Sequence, residues 1–301
     1  MTESFRKYCD PQTLARLQGL ELRARHIIEG YLSGLHRSPY HGFSIEFAEH
    51  REYAPGDDLR YVDWKVFGRT DKVYVKQYEE ETNLVVYLLL DTSESMSYQG
   101  QQAPWSKLEC AKTAAAVLAY LVLRQRDSVG VVTFAEQMGQ LVRASSSPSH
   151  LKTVLHVLEE AQAQGKTRAG QTFHRLAQRM QKRSVVLIFS DLFDDTQGVL
   201  RGLKHLRHRR HDVVVFHVLD PDELEFPFQQ TTLFEGMEQL PEVLTEPAAL
   251  RRAYLREFQA FLTQLRRGCR ENALEYVPLR TDQSLEVVLR SFLHARMARA
   301  G

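Results

Sequence analysis

What the 301-residue chain lacks narrows it first. No apolar run approaches the ~20 residues that span a bilayer. The start, Met1-Thr2-Glu3-Ser4-Phe5-Arg6-Lys7-Tyr8-Cys9-Asp10, lacks the apolar core of a signal peptide. Three scattered cysteines, Cys9, Cys110 and Cys269, give neither a CxxC pair nor an even disulfide set, and read as free thiols of a reducing cytoplasm. Charge of one sign is missing too. Lys and Arg number 39 against 38 Asp and Glu, a net of +1, so no global bias argues for nucleic acid or a membrane surface as main partner. No GxxxxGKS or GxxxxGKT loop exists to bind a nucleoside triphosphate, and no G-x-S-x-G elbow to present a nucleophilic serine. Internal repeats and low-complexity tracts are absent. What remains is an ordinary globular composition, 43% hydrophobic and 26% charged.

Two long apolar runs carry the fold. Leu84-Val85-Val86-Tyr87-Leu88-Leu89-Leu90 ends abruptly at Asp91, and Ser184-Val185-Val186-Leu187-Ile188-Phe189-Ser190 ends at Asp191. Such runs read as strands buried on both faces. Helical patterns over Lys107–Arg124, His150–Gln164, Thr172–Gln181, Leu200–Arg209, Ala248–Glu271 and Ser284–Ala298 alternate with strands at Ser128–Phe134, Asp212–Leu219 and Leu274–Leu279. Gln140–Arg143 is a candidate partner for the strand before it, and Thr231–Phe234 a candidate hairpin in the irregular Asp220–Pro241 stretch. Alternation of this kind predicts an α/β fold, a doubly wound, mostly parallel sheet flanked by helices, over residues 84–301. Residues 1–83 read as an extension packed on that core. It has a helix over 11–35 and a half-solvated strand at Lys72–Tyr78, with charged, turn-rich chain between.

Buried parallel strands that each deliver an aspartate place both carboxylates on one rim, where open α/β sheets bind ligands. Asp91 is followed by Ser93 and Ser95, whose hydroxyls can face the same point. Thr172 lies in Ala169-Gly170-Gln171-Thr172, read as a loop leading into a helix. Carboxylate and hydroxyl oxygens together suit a hard divalent cation, Mg²⁺ before Mn²⁺ or Ca²⁺. The competing reading is a plain strand-to-helix turn with serine as its cap.

Asp91-x-Ser93-x-Ser95, then Thr172, then Asp191 resembles the metal-ion-dependent adhesion site of von Willebrand factor A-like domains. The resemblance implies that all five residues serve as metal ligands, directly or through water, with one coordination position left for a partner's carboxylate. A second stretch sharpens it. Phe47-Ala48-Glu49-His50-Arg51-Glu52-Tyr53-Ala54-Pro55-Gly56-Asp57-Asp58-Leu59-Arg60-Tyr61-Val62-Asp63-Trp64-Lys65, continued by Arg69–Asn83, is similar to the A-domain proteins encoded beside MoxR-type AAA+ ATPases, domain of unknown function 58. That likeness implies a cytoplasmic protein–protein interaction module, an adaptor in chaperone-like maturation or complex assembly rather than an enzyme. Its partner would be the ATPase or a client offering an acidic residue. Many relatives carry two N-terminal membrane helices that this chain lacks.

Arg51, Asp57, Asp58 and Asp63 read either as an internal scaffold of arginine–carboxylate forks or as a partner-docking surface. His205, His208 and His211 read as a cationic helix C-terminus rather than a metal site. The alternative from a different class is a metal-dependent hydrolase using the same cation to activate water, with Glu94 or Asp194 as general base.

Overall fold

The computed structural model describes residues 84–180, 182–238 and 241–300, together with Leu20, Arg23, Ala24, Ile27, 50–53, Val66, Gly68 and 73–76. Two compact units emerge, residues 1–34 with 84–301, and residues 35–83. Within the smaller unit, β1 (His50–Glu52) pairs antiparallel with β2 (Tyr74–Lys76), so a short strand lies inside the stretch expected to hold one. Arg51 lies in β1, whereas Asp57, Asp58 and Asp63 fall outside the described residues, as does most of the 11–35 stretch. From that stretch Leu20, Ala24 and Ile27 are helical and buried, one helical face at spacings of four and three.

The larger unit runs β3 (Val85–Asp91), α1 (Lys107–Arg124), β4 (Ser128–Phe134), β5 (Met138–Ser145), α2 (His150–Glu160), α3 (Ala169–Arg179), β6 (Val185–Ser190), α4 (Thr196–His208), β7 (Asp212–Leu219), α5 (Pro221–Glu225), β8 (Thr232–Phe234), β9 (Val243–Thr245), α6 (Pro247–Glu271), β10 (Glu275–Arg280) and α7 (Leu285–Ala300). Six strands form one sheet in the order β10-β7-β6-β3-β4-β5, parallel except for the antiparallel edge strand β5. The mostly parallel sheet expected from the alternation is therefore present. The chain begins at the centre, winds out through β4 and β5, then returns to β6 on the other side of β3. Strand order reverses between β3 and β6.

Successive residues of each strand point to opposite faces, and both faces are covered. Val86, Leu88, Leu90, Leu187, Phe189, Val214 and Phe216 pack under α1, α2 and α7, joined by Leu20, Ala24 and Ile27. Leu89, Val186, Ile188, Val213 and Val215 pack under α3, α4 and α6. This is why the runs are apolar at every position rather than at alternate ones. Helix α1 presses an alanine face (Ala111, Ala114, Ala115, Ala116) onto the sheet, and Ser106 caps it by accepting the Glu109 N–H at 3.2 Å. Helices α3 and α4 cross at glycines. A Cβ on Gly170 would stand 2.6 Å from the Gly198 carbonyl carbon, and one on Gly202 2.6 Å from the Gly170 oxygen. Both sheet margins are irregular. β5 pairs with β4 through two register shifts, and β10 carries Pro278.

The hairpin expected around Thr231–Phe234 exists, though its second arm, β9, begins only at Val243, and Pro221–Glu225 is a short helix rather than irregular chain. His150–Gln164 ends its helix early, at Glu160. His211 lies beyond α4, whose last turn holds His205 and His208. It is buried, with both ring nitrogens unpartnered among the described residues. Burial beside Arg209 lowers its pKa, so it does not belong to a cationic helix end.

Candidate functional site

Asp91 ends β3 and Asp191 follows β6, its neighbour, so the expectation of two carboxylates on one rim matches the topology. They flank the point where strand order reverses. Both side chains are 0% exposed. Asp91 Oδ1 accepts the Ser93 N–H at 2.9 Å, and Oδ2 accepts the Ser190 hydroxyl at 2.5 Å. Ser93 and Ser95 stand hydroxyl to hydroxyl, 3.1 Å apart, at the start of the 3-10 turn Glu94–Ser97.

Thr172 is buried, and it sits inside the first turn of α3 rather than in the loop before it, because the helix begins at Ala169. That preceding loop is tied to the same rim. Gln164 N–H donates to Thr92 O at 2.8 Å, Glu94 N–H to Gly165 O at 2.9 Å, and Arg168 N–H to Ala135 O at 3.2 Å. Asp91, Ser93 and Ser95 thus form one hydrogen-bonded cluster with Asp191 in electrostatic contact, while Thr172 is linked to the rim only by the hydrogen bonds of the loop before its helix.

Beyond Asp191 the chain turns through Leu192, whose φ of +56° lies in the left-handed region. A residue with a β-carbon enters that region at a cost of about 1 kcal/mol, held here by complete burial of the leucine side chain. The turn lets Phe193 N–H reach back to Asp191 Oδ1 at 3.3 Å.

Several groups at the site are ones the sequence did not announce. Lys107, the first residue of α1, is 1% exposed and donates to Asp191 Oδ2 at 2.7 Å and to Glu223 Oε1 at 2.5 Å. Its ammonium lies 4.8 Å from the centre of the Phe193 ring. The two carboxylates hold it charged and push its pKa up against the cost of burial. His217, pushed down to about 4 chiefly by burial, is neutral. Its Nε2 faces the Asp191 carbonyl oxygen at 2.8 Å, which can only accept, so Nε2 carries the proton and Nδ1 accepts from the Tyr276 hydroxyl at 2.6 Å. Lys107 had one available signal. It shares a helical stripe with Cys110, Ala111 and Ala114, all fully buried, so a charge at the head of that stripe had to be paired.

The electrostatics are uneven. The Asp91 carboxyl is pushed up to about 7, first by burial, then by the charge of Asp191, against the hydrogen bonds from Ser190 and Ser93. It is a buried acid short of positive charge, since the ammonium of Lys107 goes to Asp191 and Glu223. Oxygen donors gathered around such an acid suit a hard cation. Among the described residues no cluster of three or more His, Cys, Asp or Glu side chains meets at one point, so any ion held here would have to take its remaining oxygens from hydroxyls and water.

The two candidate bases are engaged elsewhere. Glu94 Oε2 accepts Glu238 N–H at 2.7 Å, and Asp194 accepts the N–H groups of Asp195 at 2.7 Å and Gly170 at 3.4 Å. A second acidic knot gathers on the loop after β3. Asp220 accepts from Gly100 N–H at 3.1 Å, Thr281 hydroxyl at 3.0 Å and Asp222 N–H at 3.0 Å, and Asp222 accepts from Tyr98 and Gln101, both at 3.2 Å. With the Asp220–Glu223 capping box it fixes α5, and therefore Glu223, against the loop after β3.

The fold is a doubly wound, mostly parallel α/β sheet with an acid–serine cluster at its switch point. Residues 49–261 match the family described as Protein of unknown function DUF58, and the chain belongs to that family. It is similar to the uncharacterized protein Rv1480 of Mycobacterium tuberculosis, 28% identical over 281 residues, covering 91% of this chain and 86% of that one. Among solved structures it is similar to the conserved hypothetical protein BatB of Bacteroides thetaiotaomicron, with a TM-score of 0.50 and 17% identity over 72% of this chain and 99% of that one. It is also similar to the SpRpn10 VWA domain, with a TM-score of 0.40 and 13% identity over 69% of this chain and 94% of that one. No helix among the described residues is long and apolar enough to cross a membrane.

Proposed function

We propose that this protein is a metal-dependent protein-binding module, without catalysis of its own, that acts as adaptor for a MoxR-type AAA+ ATPase or for a client carrying an acidic residue. The observation that carries the reading is the pair Asp91 and Asp191, delivered by adjacent parallel strands to the switch point of the sheet with the hydroxyls of Ser93 and Ser95 beside them. When bound, a divalent cation such as Mg²⁺ supplies a coordination position for a partner's carboxylate. The chain's own residues do the rest. Asp91 and Asp191 provide negative charge, Ser93, Ser95 and Thr172 provide neutral oxygens, and the hydrogen bonds Gln164 N–H to Thr92 O and Glu94 N–H to Gly165 O tie the loop before Thr172 to the Asp91–Ser95 turn. The buried floor under them, Leu88 to Leu90 and Ile188 to Phe189, excludes water from below and strengthens each electrostatic contact.

The test is capture of the AAA+ ATPase on the immobilised chain in Mg²⁺. Release by EDTA, and loss of capture with Asp91→Ala, are the expected results. Capture that survives both overturns metal-dependent binding.

A further inference from the structure

Lys107 is a permanent cation inside the site, and the proposed function makes no use of it. Its ammonium is 1% exposed and bridges Asp191 to Glu223 at 2.7 and 2.5 Å. Glu223 is held in place independently, since its other oxygen accepts the Asp220 N–H at 2.9 Å and Asp220 is itself bonded to Gly100 and Thr281. The lysine therefore cannot be pulled away from Asp191 by reorienting a floppy partner. Its own backbone is fixed too, with Lys107 N–H bonded to Tyr98 O at 3.0 Å in the loop that follows the Asp-Thr-Ser-Glu-Ser stretch.

The charges can be counted. Asp91, Asp191 and Glu223 bring three negative charges when ionised, and Lys107 brings one positive. Remove the lysine and a divalent cation meets the acids Asp91 and Asp191, with the charge of Glu223 acting on Asp191 behind them. Keep it, and the same cation meets a net of two negative charges, one of whose carriers, Asp191, already holds an ammonium. Affinity of oxygen cages for divalent ions is set largely by ligand charge. A partner's carboxylate restores the missing negative charge.

We infer that Lys107 holds the site at low affinity for a divalent cation until a partner's acid arrives, so that ion and partner are captured cooperatively. This rests on the metal-binding reading above and gives the lysine a role in regulating it. By linkage, whatever the partner adds to the affinity for the ion, the ion adds to the affinity for the partner.

The experiment is titration of the full chain with Mn²⁺ alone, followed by calorimetry, for wild type, Lys107→Met and the double variant Lys107→Met/Glu223→Gln. The double variant removes the ion pair as a neutral unit, so no uncompensated charge threatens folding. Circular dichroism confirms that each protein is folded. The expected result is that Lys107→Met binds Mn²⁺ about tenfold or more tightly than wild type, with the double variant between the two. A purely structural role for the lysine predicts the opposite sign, since losing it would loosen the site. Affinity that is unchanged or weakened in both variants overturns the inference and leaves the metal site standing. Absence of Mn²⁺ binding in all three folded proteins overturns both.

Discussion

Replacing Asp91 with asparagine separates a functional acid from a structural one, because the two readings predict opposite signs. Moving this carboxyl from its ordinary 3.8 to about 7 costs the ionised form about 4 kcal/mol at pH 8. Between those two values the folded chain holds a proton that the unfolded chain has released, so metal-free stability falls as pH rises from about 4 through 7. Asparagine keeps the shape and never ionises. Against that gain stands a hydrogen bond. The carboxylate accepts from two donors, the Ser190 hydroxyl at the end of β6 and the Ser93 N–H of its own turn. Asparagine has a single oxygen, so its nitrogen faces one of these donors, at a cost of about 1–2 kcal/mol. The net expectation for Asp91→Asn at pH 8 is a gain of about 2 kcal/mol, or about 4–8 °C in melting temperature for a domain of this size. At pH 5 the wild-type acid is already protonated in the folded chain, and the gain falls to about zero. Differential scanning fluorimetry in EDTA at both pH values reads this directly. Added Mg²⁺ should then raise the melting temperature of the wild type and leave the variant unmoved. A variant that is less stable than wild type at pH 8, or equally shifted at both pH values, refutes the electrostatic reasoning.

Gly100→Ala should destabilise by about 3 kcal/mol in urea, because the new Cβ would stand 2.2 Å from Asp220 Oδ1 and 2.7 Å from the Asp222 carboxyl carbon; a midpoint near wild type would show that the acidic knot does not pack this way. The thiols of Cys110 and Cys269 are buried. Burial pushes the first up strongly and the second up to about 12, so in a Cys9→Ser background a disulfide reagent should label them only as fast as the chain unfolds. Rapid labelling of the folded protein would contradict the packing around α1 and α6.

The central strands are legible in the sequence because burial on both faces leaves no polar position to confuse the period. Ser128–Phe134 and Asp212–Leu219 match β4 and β7 to the residue, and Lys107–Arg124 matches α1. Asp91, Ser93 and Ser95 stand out as a short motif, and Asp191 does so because its strand ends as abruptly as β3. Helix α5 is not legible. Five residues carry too little periodicity, and its signal is a capping box whose proline, Pro221, reads equally well as a turn. Thr172 reads as the end of a loop because the helical pattern is read only from that position on, three residues after the helix begins. In the structure Gly170 serves the close crossing of α3 on α4 within the helix. Lys107 stands at the head of a buried helical stripe, but local sequence does not reveal that Glu223, more than a hundred positions away, folds back to meet it.

The two margins of the sheet bear on how this chain behaves in a crowd. Proline at position 278 has no N–H to offer along β10, and the staggered pairing of β5 spaces its donors unevenly. Neither margin offers a regular row on which a neighbour's backbone can grow. Growth toward cross-β fibres therefore finds a poor template at either end of this sheet.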